Sequence, residues 1–272
     1  MPSYYAHFQF GKDIVRTMPH EIKSIINEDL DSIDSFIVGL QGPDTLYFHN
    51  PLLYTALNRE AGQIHHSSGL DFFIPACNYL KKNGTSQGFS YILGCIAHYV
   101  LDSSCHPIII EHQNKEGISH RKVEQEFDDF VLRMNKTKHT NVDFNLILPL
   151  NDSLGEICSP FYKTADSKLF NASIKDMRNT LSRLNSKSVI FRYAEYFLLS
   201  LIPPIRTVRD MIPIEKSDDN LPKEYFHRNE IIYSEFRNAV PKAIDLMKEA
   251  LEYIEEGGNL SSRFIPDYLG KI

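Results

Sequence analysis

Apolar positions along the chain recur mostly at three- and four-residue intervals, the period of an α-helix, while alternating strand-like runs are sparse. Ile14, Met18, Ile22, Ile25, Ile26 and Leu30 form a broad stripe that predicts a helix over residues 13–30. Gly42-Pro43 predicts a turn presenting Asp44 from a loop. Residues 58–82 predict one or two helices, stopped by Asn83-Gly84. Phe89, Ile92, Leu93, Ile96 and Val100 fall at i, i+3, i+4, i+7 and i+11, the buried face of another helix. Proline disfavours helical geometry in the residue before it, so Pro107 predicts that this helix ends just before His106 and lets that side chain turn away. Ser119 reads as an N-cap opening a helix to Met134, with Val123, Phe127, Phe130, Val131 and Met134 facing inward. Residues 135–167, rich in Asn, Thr, Asp and Pro, predict loops. Helices resume over 173–184 and 188–201, and a last one covers 236–256, with Pro241 early or kinking and Gly257-Gly258 as its stop. The class is mostly α.

The most apolar late stretch, SVIFRYAEYFLLSLIPPI from Ser188, carries Arg192 and Glu195 and stops at Pro203-Pro204. It is too short and too charged to span a bilayer, so a helix buried in the core is predicted and no integral membrane segment. The N-terminal MPSYYAHFQFGKD lacks the basic-then-apolar pattern of a secretion signal. Cys77, Cys95, Cys105 and Cys158 form no C-x-x-C pair and read as reduced, buried thiols. Together these lead to the expectation of a soluble, cytoplasmic protein. With 272 residues, 42% of them hydrophobic, the chain can bury a substantial core as one large or two small domains. A net charge of -6 without a Lys/Arg run gives no general attraction for nucleic acid or anionic lipid.

Candidate chemistry concentrates in YILGCIAHYVLDSSCHPIII, Tyr91 to Ile110, where His98, Asp102 and His106 recur every four residues in an apolar run. Burying imidazole and carboxylate there is costly unless something satisfies them. A lone histidine of this kind is ordinarily a hydrogen-bonded core residue. A second pair, His120 and Glu124, again four apart, changes the weighing, because helix residues at that spacing lie about 5–6 Å apart at Cβ and can chelate one ion. Imidazole and carboxylate without thiolate suit zinc in an open hydrolytic site. His7, Asp44 and His65 are further candidates upstream. His49, His112, His139 and His227 have no partner at ligand spacing and are expected on the surface or in loops.

With these residues in order, the sequence resembles the zinc-dependent phospholipase C family, whose superfamily also holds the single-strand-specific zinc nucleases. The resemblance rests on the ordered series His7, Asp44, His65, His98, Asp102, His106, His120 and Glu124, and is tightest between Met1 and Asp128. It implies one all-α, multi-helix domain over residues 1–272, with the metal ligands in 1–130, a helical completion over 170–260, and three zinc ions in one cleft. By that resemblance Asp44, His65, His98 and Asp102 hold one zinc, and His106, His120 and Glu124 a second. The third shares Asp102, takes His7, and is completed by the amino group and carbonyl of the first residue. Removal of Met1 would give that role to the backbone of Pro2. His66 is the alternative to His65, though Phe72-Phe73 matches the family pattern better from His65.

Three divalent cations against the carboxylates Asp44, Asp102 and Glu124 leave a positive excess, for which a phosphate is the natural guest. The implied reaction is attack of a zinc-bound water on a phosphodiester. In it Asp44 orients or deprotonates the water and Asp102 bridges two metals. Asp128, one turn beyond Glu124, is either a residue that steadies a ligand from behind or an ordinary solvated acid. Lipid-cleaving members build a choline cage from aromatics at two positions that here are Thr45 and Gly62, so a choline preference is not carried over. Tyr4, Tyr5, Phe8, Phe10, Tyr47 and Phe48 suit stacking or acyl contact, but ordinary core packing is the default. A phospholipid or small phosphodiester is therefore expected ahead of single-stranded nucleic acid, and no protein partner is predicted. A non-catalytic, metal-stabilised binding protein is the reading from a different class.

Overall fold

A computed structural model describes residues 4–51, 53–202, 208–213 and 220–272, and among them the chain forms α-helices and short 3-10 turns with no strand. The helices are α1 (Tyr4–Thr17), α2 (His20–Ile26), α3 (Leu30–Gly39), α4 (Asp44–Tyr47), α5 (Ala56–His65), α6 (Gly69–Asn83) and α7 (Ser86–Glu116). They continue with α8 (His120–Met134), α9 (Phe144–Ile147), α10 (Ser153–Cys158), α11 (Ser167–Leu184), α12 (Val189–Ser200) and α13 (Lys223–Glu256). The all-α expectation holds.

Helix α7 is the central element. Tyr91 through Leu101 are buried on every side, as a helix apolar all round must be. Helices α1, α2, α3, α6, α8, α10 and α13 pack on it. The closest crossing is with α3, where Gly39 and Gly94 bring the two backbones together. A Cβ on Gly94 would lie 2.3 Å from the Phe36 carbonyl and 2.8 Å from Gly39 Cα. Among the described residues α7 is also the one helix long and apolar enough to cross a membrane, and most of its apolar stretch is buried in the fold.

Several boundaries differ from the sequence expectations. The stripe over 13–30 is split, because Met18-Pro19 cannot continue α1 and His20 restarts the chain as α2. Leu30 is not on the stripe: it opens α3 and is exposed, behind Asp29, whose carboxylate accepts from the Ser32 amide. Helix α7 does not stop at His106 but runs through Pro107 to Glu116. Proline costs a helix one backbone bond, here to Ser103. The C-terminal tail covers that break, so close that a Cβ on Gly270 would lie 2.5 Å from the Ser103 carbonyl. Ser119 does cap α8 by accepting from the Lys122 amide, though Met134 at its far end faces out. The stretch 135–167 is not all loop but contains α9 and α10. Helix α13 begins at Lys223, well before Phe236, and carries Pro241 in its interior. All four cysteines are free and buried. The largest departure is α12, whose buried residues are Arg192 and Glu195 while most of its apolar ones are exposed. The Pro203-Pro204 stop lies outside the described residues.

Candidate metal centre

Five segments converge at the middle of α7. Helix α1 contributes His7, the start of α4 Asp44, the last turn of α5 His65, α7 the trio His98, Asp102 and His106, and α8 the pair His120 and Glu124. Because α7 continues through Pro107, its trio stands on one helical face. The unbroken helix therefore brings His106 toward its neighbours rather than away. The turn at Gly42 has φ +51°, and a Cβ there would lie 2.9 Å from the His98 ring, so glycine alone serves.

Three groups of donor atoms result, each with its atoms within 4.8 Å of one another: His7, His98 and Asp102; Asp44, His65 and His98; and His106, His120 and Glu124. Asp102 lies between them. Its Oδ1 is 3.1 Å from His7 Nε2, while Oδ2 is 3.4 Å from His98 Nε2 and 3.9 Å from both His65 Nε2 and His106 Nδ1. Glu124 Oε1 is 2.9 Å from His120 Nε2 and 3.3 Å from His106 Nε2.

The ring orientations are fixed from behind. His65 Nδ1 donates to the Ala61 carbonyl at 2.7 Å, His98 Nδ1 to Leu40 at 3.1 Å and His106 Nδ1 to Tyr268 at 2.7 Å. A carbonyl only accepts, so each Nδ1 carries a proton and Nε2 is left as the atom turned to the cluster. His65 Nε2, His98 Nε2, Asp102 Oδ2 and both oxygens of Asp44 are buried without a hydrogen-bond partner. His65 Nε2 and Asp44 Oδ1 are nevertheless only 3.0 Å apart. Two acceptors held that close repel unless positive charge sits between them. Orphaned, converging acceptors of this kind fit a cation, and imidazole with carboxylate fits zinc.

The electrostatics point the same way. Burial, with the His7 and His65 imidazoles acting in the same direction, pushes the His98 imidazole down to about 4 against the Asp102 and Asp44 carboxylates. Burial opposes ionisation at Asp102 also, yet the imidazoles of His106, His98 and His7 hold its carboxyl well below the usual range. His106 is likewise desolvated, but Asp102 and the Glu124 hydrogen bond outweigh this and raise it to about 9.

Asp128 is buried and not a solvated acid. Its two oxygens accept from the backbone amides of Tyr5 at 3.2 Å and Ala6 at 2.7 Å, anchoring the first turn of the helix that carries His7. His65 is buried and His66 exposed, which separates those alternatives. Of the four other histidines expected on the surface or in loops, His227 is exposed and His49 lies in the bend after α4, though buried. His139 is buried in a 3-10 turn, and His112 is buried inside α7, where it pairs with Glu116 at 3.0 Å. Pro2 lies outside the described residues. Sequence reasoning named Tyr47 only as one aromatic of a group assigned by default to core packing and missed Tyr268 altogether; their rings lie 5.3 and 4.9 Å from that of His65. Tyr268 also acts through a main-chain carbonyl, for which no side-chain pattern exists.

Beside the cluster runs a groove of about 410 Å³, walled by Tyr47, Phe48, Pro51, Leu184, Leu199 and Met211, with Arg121 and Arg183 also lining it. Arg121 follows the cluster's His120 directly, and Tyr47 separates the groove from His65. Thr45, at one of the choline-cage positions, is buried and donates to the Gly42 carbonyl at 3.0 Å, so that position contributes no wall.

Searches of curated proteins and of solved structures each returned no match. The sequence profile described as zinc dependent phospholipase C matches residues 6–189, well over half of the chain and the whole run of metal-type side chains from His7 to Glu124. This chain belongs to the zinc-dependent phospholipase C family.

Proposed function

We propose that the chain is a zinc-dependent phosphodiester hydrolase acting on phospholipid-type substrates, adding water across a phosphorus–oxygen bond to release a diacylglycerol and a phosphorylated headgroup. The observation that carries this reading is the convergence of ligand-type side chains from five segments, among them the buried acceptor atoms of Asp44, His65, His98 and Asp102 that have no hydrogen-bond partner. Asp44, His65, His98 and Asp102 would hold one zinc, His106, His120 and Glu124 another, and His7 with Asp102 part of a third. The chemistry supplied by bound zinc is Lewis acidity toward phosphoryl oxygens and toward water.

The chain's own residues do the rest. Asp102, with one oxygen toward His7 and the other toward His98, sets the spacing between metal groups. Asp44, both of whose oxygens lack a hydrogen-bond partner, would take the proton of the attacking water at its carboxylate. Arg121 adds positive charge where the groove meets the cluster, suited to a phosphate oxygen. The apolar remainder of the groove suits the glyceride and acyl part of a lipid better than a nucleotide, whose binding depends on a cationic track and stacking faces.

Chelated protein reloaded with zinc and assayed for metal content tests this directly. The assay panel is bis-(p-nitrophenyl) phosphate, phospholipids and single-stranded oligonucleotides. Zinc-dependent release of diacylglycerol is expected, with oligonucleotides left intact. Cleavage of oligonucleotides but not lipids would reassign the substrate. Full zinc uptake with no turnover would make the cluster a clamp that holds helices together.

A further inference from the structure

Helix α12 is inside out. Its buried residues are Arg192 and Glu195, at 3% and 7% exposure, while Ile190, Phe197 and Leu201 just beyond its end are 83%, 63% and 62% exposed. Val189, Tyr193, Leu198 and Ile202 are exposed with them. The inward charges are satisfied, which fixes this orientation. Arg183 donates to Glu195 from Nε at 3.1 Å and Nη2 at 2.5 Å, and Arg192 Nη1 donates to the Ser186 carbonyl at 2.5 Å. Water would favour the opposite rotation, and a continuous apolar face of this kind marks a contact surface.

We infer that the outer face of α12 seats the protein on a phospholipid surface, lying in the interface beside the mouth of the groove. Continuity supports that occupant. The inner side of the same helix supplies Glu195 and Leu199 to the groove, which is also lined by Tyr47, the neighbour of His65. Pro51, another lining residue, is followed at two and three residues by the exposed Leu53 and Tyr54. Charge fits too. From Ser188 to Ile202 the charged side chains are Arg192 and Glu195, both turned inward, so the outer face is neutral and bordered by the exposed Lys187. With a rise of about 1.5 Å per residue the helix falls well short of a bilayer's hydrocarbon thickness, so it lies in the surface rather than across it. Because insertion is apolar and the chain's net charge is -6, binding should be nearly insensitive to salt and need no anionic lipid.

This inference rests on the lipid-hydrolase reading but is tested separately from it. Zinc-loaded wild type and the triple variant Ile190→Ser, Phe197→Ser, Leu201→Ser are sedimented with phosphatidylcholine vesicles, with and without added salt. Both are also assayed on a short-chain phosphatidylcholine kept monomeric, and their melting temperatures and sedimentation coefficients are compared. The expected result is a loss of vesicle partition of at least about tenfold in the variant, with equal turnover of the monomeric lipid and an unchanged melt. Vesicle partition that the variant loses, with no turnover of the monomeric lipid or of any phospholipid in the substrate panel, would refute the hydrolase while keeping the docking face. Turnover with no wild-type partition, or with equal partition of the variant, overturns the docking face. A wild-type dimer that the variant dissolves, with no vesicle binding, would make the face a contact between copies and overturn it as well.

Discussion

Asp102 is the residue on which the centre's geometry turns, since from the middle of α7 it stands 3.1 Å from His7 and 3.4 Å from His98, the histidine shared by two donor groups. Asp102→Asn keeps the shape and removes the charge. The expected outcome is loss of zinc on dialysis and a fall in turnover of at least about a hundredfold, read by metal analysis and lipid hydrolysis. Full zinc content with near-normal rate would contradict a bridging role. His106 gives a pH prediction. In metal-free protein its pKa is raised from 6.5 to about 9, by Asp102 and Glu124 acting against burial. A raised imidazole contributes stability that is complete below the unfolded value and is lost as pH rises through the folded one. The melting temperature of metal-free protein should therefore fall between about pH 6.5 and 9. Zinc at His106 Nε2 would displace that proton, so metal uptake at neutral pH should release protons, whereas His98, lowered to about 4, contributes none. Calorimetry in buffers of different ionisation enthalpy measures this release, and finding none would remove His106 from the ligand set. At this scale the sequence was informative because the eight side chains are of ligand type and five lie at four-residue spacing. From sequence alone Asp128 stays open between a supporting and a solvated acid, because its partners, the Tyr5 and Ala6 amides, are far away in the chain. His112 is misjudged there as a surface or loop residue although its partner Glu116 is one turn on.

The elements place these residues through contacts that leave no motif. Gly39 and Gly94 let α3 and α7 touch backbone to backbone, and the residue after Gly39, Leu40, supplies the carbonyl that orients His98. A Gly94→Ala Cβ would meet the Phe36 carbonyl, force the helices apart and shift that carbonyl. A destabilisation of about 1–3 kcal/mol is expected by thermal or denaturant melting, with zinc more readily lost. An unaltered melt and metal content would show that α3 yields without cost. Helix periods were legible wherever one face alone is buried, as in α8. They misled at α7, because the rule for the residue before proline is local, whereas packing by α3, α13 and the tail decides whether a helix continues. They misled again at α12. Hydropathy reports how apolar a helix is, not which side its neighbours cover, and the Arg183–Glu195 pair turns its charged side inward.

At the scale of the molecule, the metal-type side chains are all in the first half of the chain, but the centre is closed from the other end. The tail is tied down where Tyr99 donates to the Pro266 carbonyl at 2.9 Å and where the backbone turns on itself between Asp267 and Lys271. It then delivers the Tyr268 carbonyl to His106 and lays the Tyr268 ring against His65 and His98. Those contacts lie beyond residue 189, where the family profile stops, so the profile accounts for the ligands and not for what aims them. Removing residues 267–272 should leave helical content intact by circular dichroism and weaken zinc at the His106 group by about 10–100-fold in competition with a chromogenic chelator. Tyr268→Phe, which keeps the carbonyl and the ring, should bind zinc as wild type does. If truncation leaves affinity unchanged, His106 is oriented by Glu124 alone. If Tyr268→Phe is as damaging as truncation, the phenol oxygen rather than the main chain holds the centre together.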